Sequence, residues 1–128
     1  SPTVNAGWGR HLGNERYVAA INARYQSMKA AGCRLIASTD AGIPNVFHED
    51  LPKALGVFKA VAALSNLETL KSATSDCARA LGLEAVTGRL ADGLSADFLI
   101  FDQSPLDNLE VLENPSWIYA QGKQITGQ

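Results

Sequence analysis

Apolar residues recur at three- and four-residue intervals through 14–31, with Tyr17, Ile21, Tyr25 and Met28 on one face, the spacing of an amphipathic helix. Asn14 precedes it as a natural N-cap, and Gly32 stands where a helix C-terminal glycine belongs. A short apolar run from Cys33 to Ala37, interrupted by Arg34, then reads as a strand. With a first strand at Ser1–Val4, segment 1–37 predicts a βαβ unit whose strands run parallel. Residues 43–48 read as loop because Pro44 and Asn45 break any regular pattern. Helical spacing resumes over about 49–64, with Leu51, Leu55, Phe58, Val61 and Ala62 on one face. Glu49 and Asp50 lie in its first turn, where the helix dipole favours acids, and Pro52 is tolerated there. Ser65 or Asn66 caps a third helical stretch with Leu67, Leu70, Thr74, Cys77 and Leu81 as its stripe. That stretch can break into two short helices near Thr74, and Gly82 ends it.

The pattern changes after about residue 83. Turn residues such as Thr87-Gly88, Asp92-Gly93 and Ser104-Pro105 replace helical spacing. Asp97–Asp102 reads as a strand bounded by two acids, and Ser116–Ala120 as another. Gln121-Gly122-Lys123 is a tight turn into Gln124–Thr126, which makes a hairpin. The fold class is therefore α/β, with a βαβα segment over 1–85 and a β segment over 86–128.

Composition narrows the function classes. The 128 residues are 46% hydrophobic and 19% charged, as expected of a folded domain rather than a disordered chain. A net charge of −2 and no aromatic-plus-basic stripe argue against a nucleic-acid surface. No apolar run reaches the roughly 20 residues of a membrane span. The N-terminal run has neither a basic nor an apolar leader region, so a cytoplasmic location is the expectation. Cys33 and Cys77 share no metal-ligand spacing and are expected as free thiols packed in the core.

One run carries candidate chemistry: Ile36-Ala37-Ser38-Thr39-Asp40-Ala41-Gly42, a buried strand ending in a carboxylate and a glycine turn. Barrels of alternating strands and helices place catalytic acids at such strand ends. From spacing alone, Asp40 reads equally as a turn former or as an N-cap in the loop before residue 49.

An ordered series of motifs extends this reading. Thr39-Asp40-Ala41-Gly42 is followed by Ser72-Ala73-Thr74, Ala78–Leu83, Gly88-Arg89-Leu90, Gly93, Ala96-Asp97-Phe98, Ser104-Pro105-Leu106 and the final hairpin. Each motif alone is weak, but the series resembles the C-terminal third of a metal-dependent amidohydrolase, the imidazolonepropionase-like branch in particular. The resemblance implies the last two βα units of a (β/α)₈ TIM-type barrel, here an incomplete barrel, followed by the C-terminal part of a small β-sandwich. Thr3-Val4 would be its seventh strand and Leu35–Ser38 its eighth. It implies a divalent metal, usually zinc, and a small amide-type substrate. Asp40 would touch the metal, take a proton from the attacking water and pass it to the leaving amine. His48 and Asn45, in the loop after strand eight, would face the substrate, as would His11 in the loop after strand seven. Each also has a plainer reading: His48 as a helix-start histidine, Asn45 as a turn residue, His11 as a local loop residue. Asp97 is expected to close the turn into its strand, and Arg34 and Arg79 to be solvated or ion-paired.

The family's His-x-His pair and its other ligands have no counterpart here. The chain holds only His11 and His48, whereas a catalytic zinc normally needs three protein ligands. The chain alone is therefore expected to hold no metal. It reads either as a fragment of a larger hydrolase that pairs with a missing N-terminal portion, or as a non-catalytic remnant that associates with itself or a partner.

Overall fold

The computed structural model describes residues 5–42 and 44–125. The expected first strand, including Thr3-Val4, lies outside them.

Helix α1 spans Glu15–Ala30, and the Asn14 side chain accepts from the Tyr17 N–H at 3.1 Å, the cap the sequence suggests. At its other end Gly32 takes φ +80, so the Cys33 N–H can reach back to the Met28 carbonyl at 2.9 Å. A 3-10 turn at Ala6–His11 precedes α1. Helix α2 spans Leu51–Ala62 and is the centre of the fold. Ala54, Leu55, Val57, Phe58, Val61 and Ala62 are all buried. One flank packs on α1, where Tyr25 meets Phe58 edge-on with ring centroids 5.8 Å apart. The other flank places Leu55 against Leu109 and Leu112, from a 3-10 turn at Leu109–Glu113. The Gln26 amide donates to the Ala62 carbonyl at 2.9 Å, satisfying an acceptor that the end of α2 leaves open.

Helices α3, Asn66–Ala73, and α4, Ser75–Ala80, replace the third helical stretch, with the break at Thr74 where the sequence allowed one. Ser65 and Glu68 form a reciprocal capping box at the start of α3: the Glu68 N–H donates to Ser65 Oγ at 3.2 Å and the Ser65 N–H to Glu68 Oε2 at 2.8 Å. Lys29 adds an ion pair to Glu68 Oε1 at 3.0 Å that ties α1 to α3. The Ser65 N–H, then Lys29 and the Ser65 hydroxyl, hold the Glu68 carboxyl at about 2, well below its ordinary 4.5. A carboxyl depressed in the folded state stabilises the fold above its unfolded value and loses that contribution as pH falls through the folded one. The urea-unfolding midpoints of the intact protein and its Glu68→Gln variant are therefore expected to converge as pH drops from 4.5 towards 2. A gap that stays constant across that window would contradict a stabilising carboxylate. Salt should shrink the gap, because this pair is exposed to solvent.

The tail folds as an antiparallel sheet of three strands in the order β1-β2-β3: β1 Phe98–Ile100, β2 Trp117–Ala120, β3 Lys123–Ile125. Phe98 pairs with Tyr119, and their rings stack at 4.6 Å. The hairpin is a two-residue turn, with φ +52 at Gln121 and +74 at Gly122, so β3 starts one residue earlier than expected. Besides the Leu55–Leu109–Leu112 packing, the tail meets the helices closely at Gly88. Gly88, with φ +96, lies so close to α4 that a Cβ there would be 2.4 Å from the Ala78 Cβ.

Two expectations change. Cys33 is exposed and Cys77 only half-buried, both free, so neither is a core residue. Cys33 follows the glycine that ends α1, which turns it to the surface before the chain dives at Leu35. The run from Cys33 to Asp40 forms no strand ladder among the described residues. Besides the Cys33 N–H bond back to α1, the Ala37 N–H donates to the Ser72 carbonyl of α3 at 3.0 Å. A ladder needs a neighbouring strand, and the only described sheet is the three-stranded one in the tail.

Candidate active site

The apolar run into Asp40 is anchored by its side chains. Leu35 is buried in the α1–α2 core, and Ala37 packs against both apolar clusters. Beyond Ser38 the chain emerges. Thr39 is half-buried and Asp40 is exposed.

Backbone conformation sets the shape of the emerging segment. Asp40 has φ +58, Gly42 φ +106 and Asn45 φ +63, all in the left-handed region. Asp, Asn and Gly are the residue types that tolerate it. The Ala41 N–H donates to Thr39 Oγ1 at 3.2 Å, spanning Asp40, and the Gly42 N–H points to the Val46 carbonyl at 3.4 Å. Nothing in the residue pattern singles out the Thr39 contact, although a threonine two residues before an N–H is the pattern of a hydroxyl-closed turn.

The start of the next helix is served locally. The Phe47 N–H donates to Asp50 Oδ2 at 3.2 Å, and Asp50 is the cap residue of α2. Asp40 therefore does not cap that helix, and its carboxylate makes no hydrogen bond among the described residues. It follows a run in which Leu35 is buried and Ile36 and Ala37 are half-buried, faces solvent, and sits on a backbone that costs free energy to hold. Such strain marks functional sites when the surroundings enforce it.

His48 begins the 3-10 turn at His48–Asp50 and is exposed, as is Asn45. Both belong to the segment that follows Asp40. His11 has a structural engagement of its own. Its ring lies tilted at 40° against Tyr17 with centroids 4.9 Å apart, and its Nε2 accepts from Arg10 Nε at 3.3 Å. Arg79 pairs with Asp76 at 3.3 Å, and Arg34 is exposed. Asp97 closes a turn as expected: Oδ1 accepts from the Gln121 N–H and Oδ2 from the Thr87 hydroxyl, both at 2.8 Å. Those bonds, the Gln121 N–H first, hold its carboxyl below the usual range.

Among the described residues no group of three or more His, Cys, Asp or Glu side chains could hold a metal ion. Asp40 offers one donor where a catalytic zinc takes about three. By themselves the described residues do not fit the metal. The largest cavity described, about 720 Å³, lies elsewhere, between α3–α4 and the sheet, lined by Leu70, Leu81, Leu90, Leu99 and Tyr119 among others. It is apolar, and none of Asp40, Asn45, His48 or His11 lines it. No described helix is long and apolar enough to cross a membrane.

Residues 12–124 match a family model described as the amidohydrolase family. An imidazolonepropionase from Rubrobacter xylanophilus is 35% identical over 77 residues, covering 60% of this chain and 19% of that protein. An ochratoxinase from Aspergillus niger is 28% identical over 109 residues, 80% of this chain and 22% of that protein. A crystal structure from Bifidobacterium longum, described as a prolidase, superposes with a TM-score of 0.74 at 35% identity, covering 79% of this chain and 25% of that one. A Xaa-Pro dipeptidase structure shares the fold, with a TM-score of 0.71 at 24% identity, covering 83% of this chain and 25% of that one. The chain thus spans about a fifth of the length of these sequence relatives and about a quarter of the solved chains.

Proposed function

The chain belongs to the amidohydrolase family, and from that premise we propose that it is the C-terminal share of a metal-dependent hydrolase acting on amide or cyclic amide C–N bonds, with Asp40 as its acid and base. Residues 1–85 are read as the last two βα units of a (β/α)₈ barrel and 86–128 as its share of a β-sandwich. The observation that carries the reading is Asp40 itself: an exposed carboxylate with no hydrogen bond among the described residues, in a left-handed conformation after a run that Leu35 anchors in the core.

Ionised Asp40 accepts the proton of a water molecule as that water's oxygen adds to the substrate carbonyl carbon. It then gives that proton to the departing nitrogen as the C–N bond breaks. The products are an amine and a carboxylic acid, and Asp40 returns to its starting state. The divalent metal, with zinc as the expected ion, needs ligands from outside the described residues, and no step above is routed through it. His48 and Asn45, both exposed in the segment that follows Asp40, are read as its substrate contacts. The plainer local reading is the stronger one for His11, given its contacts with Tyr17 and Arg10.

The exposed apolar side chains around the large cavity, Leu81, Leu83, Leu90 and Leu99 among them, support pairing with further parts of the family's fold. They equally favour a second reading, a non-catalytic amidohydrolase-derived module that self-associates or binds a partner. One assay separates the two. The intact protein is tested on an imidazolone, an N-acyl amino acid and a Xaa-Pro dipeptide, before and after chelation and after zinc is restored. Hydrolysis of at least one amide, lost with chelator and regained with zinc, is expected. Hydrolysis that ignores chelation would overturn the metal dependence, and no hydrolysis at full metal loading would favour the non-catalytic module.

A further inference from the structure

Resting on the reading of Asp40 as the acid and base, we propose that the Thr39 hydroxyl is a positioning device for it. Asp40 lies between the two partners of one local hydrogen bond, the Ala41 N–H and Thr39 Oγ1 at 3.2 Å. The backbone before the acid and the backbone after it are therefore tied through a single side chain. Asp40 has φ +58, which an L-residue leaves readily unless its neighbours hold it. Thr39 is half-buried while Asp40 is exposed, so the tie is fixed on the packed side and steers the free side. One residue on, the Gly42 N–H contact to Val46 continues the same tight path. Without the hydroxyl, the Ala41 N–H loses this tie and the Asp40 peptide can relax to an ordinary conformation. That relaxation swings the carboxylate away from where the tie holds it.

A proton carrier is sensitive to such a swing, because a displacement of about 1 Å can cost on the order of 100-fold in rate. Thr39→Val keeps the β-branched shape and removes only the acceptor. Thr39→Ser keeps the acceptor and removes the methyl group. Thr39→Ala also lacks the acceptor and serves if the valine variant does not fold. In the intact hydrolase, Thr39→Val or Thr39→Ala is expected to lower kcat about 10- to 100-fold with KM changed less than about two-fold, while Thr39→Ser restores kcat to within about three-fold of wild type. Hydrogen exchange at the Ala41 amide is expected to speed up in the valine and alanine variants and not in the serine one. Asp40→Asn is measured alongside. If Asp40→Asn is inactive and Thr39→Val turns over like wild type, the positioning role is wrong and the acid–base reading stands. If serine and valine lose activity equally, the hydroxyl is not the cause and the proposal also falls. If Asp40→Asn turns over normally, the acid–base reading itself falls, whatever Thr39 does.

Discussion

Asp40→Asn is expected to lower the turnover of the intact hydrolase about 10³-fold, the loss typical of removing a positioned acid and base. The asparagine amide keeps the size of the carboxylate but neither accepts nor donates the proton that the reaction moves. Stability should change by less than about 0.5 kcal/mol, because Asp40 is exposed and holds no hydrogen bond among the described residues. Asparagine tolerates the left-handed backbone that Asp40 adopts at φ +58, so the turn should survive. Steady-state kinetics at saturating metal, with a thermal melt of the same sample, checks both parts. Turnover within a few-fold of wild type would remove Asp40 from the chemistry.

Gly88→Ala is expected to destabilise the protein by about 3 kcal/mol, from two terms that add at one atom. The first is the left-handed backbone at φ +96, where a Cβ costs about 1–2 kcal/mol. The second is overpacking, since the new methyl would lie 2.4 Å from the Ala78 Cβ and 3.2 Å from the Thr74 carbonyl oxygen. Forcing a methyl into a packed contact costs about 1–3 kcal/mol. Gly93→Ala separates the terms, because Gly93 has φ +81 with nothing within 4 Å of its added Cβ. It should show only the backbone cost, about 1–2 kcal/mol. Urea unfolding of both variants in the intact protein measures the difference. Equal costs would mean that α4 and the Gly88 loop move apart freely, and that this contact does not fix the tail on the helices.

Much of the architecture was legible in local signals. Asn14, Ser65 and Gly32 mark helix ends by chemistry that acts within a few residues, and the structure uses all three. The break at Thr74 could be anticipated because the apolar stripe falters there, and the hairpin because glycine follows a polar residue between two apolar runs. What depends on distant partners was harder to read. The run Cys33–Ala37 has the composition of a strand, but a strand exists only beside another strand, and none of the described residues supplies one. Cys33 looked apolar enough to be buried, yet the left-handed Gly32 sets its direction. The short 3-10 turns at Ala6–His11 and Leu109–Glu113 carry too few residues to show a period.

The candidate site divides in the same way. Asp40 stood out because its neighbours in sequence, an apolar run and a glycine turn, are also what positions it. Thr39 did not, because its role rests on a side-chain hydrogen bond that its residue type permits without requiring. His11 shows the reverse, since histidine invites a chemical role while its contacts with Tyr17 and Arg10 are those of local packing.

The measurement that bears most directly on the central claim joins two readouts on the same preparations of wild-type and Asp40→Asn protein, metal content by elemental analysis and amide hydrolysis by steady-state assay. The variant is expected to retain most of its metal and lose its turnover, which would put the proton transfer on Asp40 and most of the metal's affinity on other ligands. A variant that hydrolyses amides at close to the wild-type rate, whatever its metal content, would contradict it.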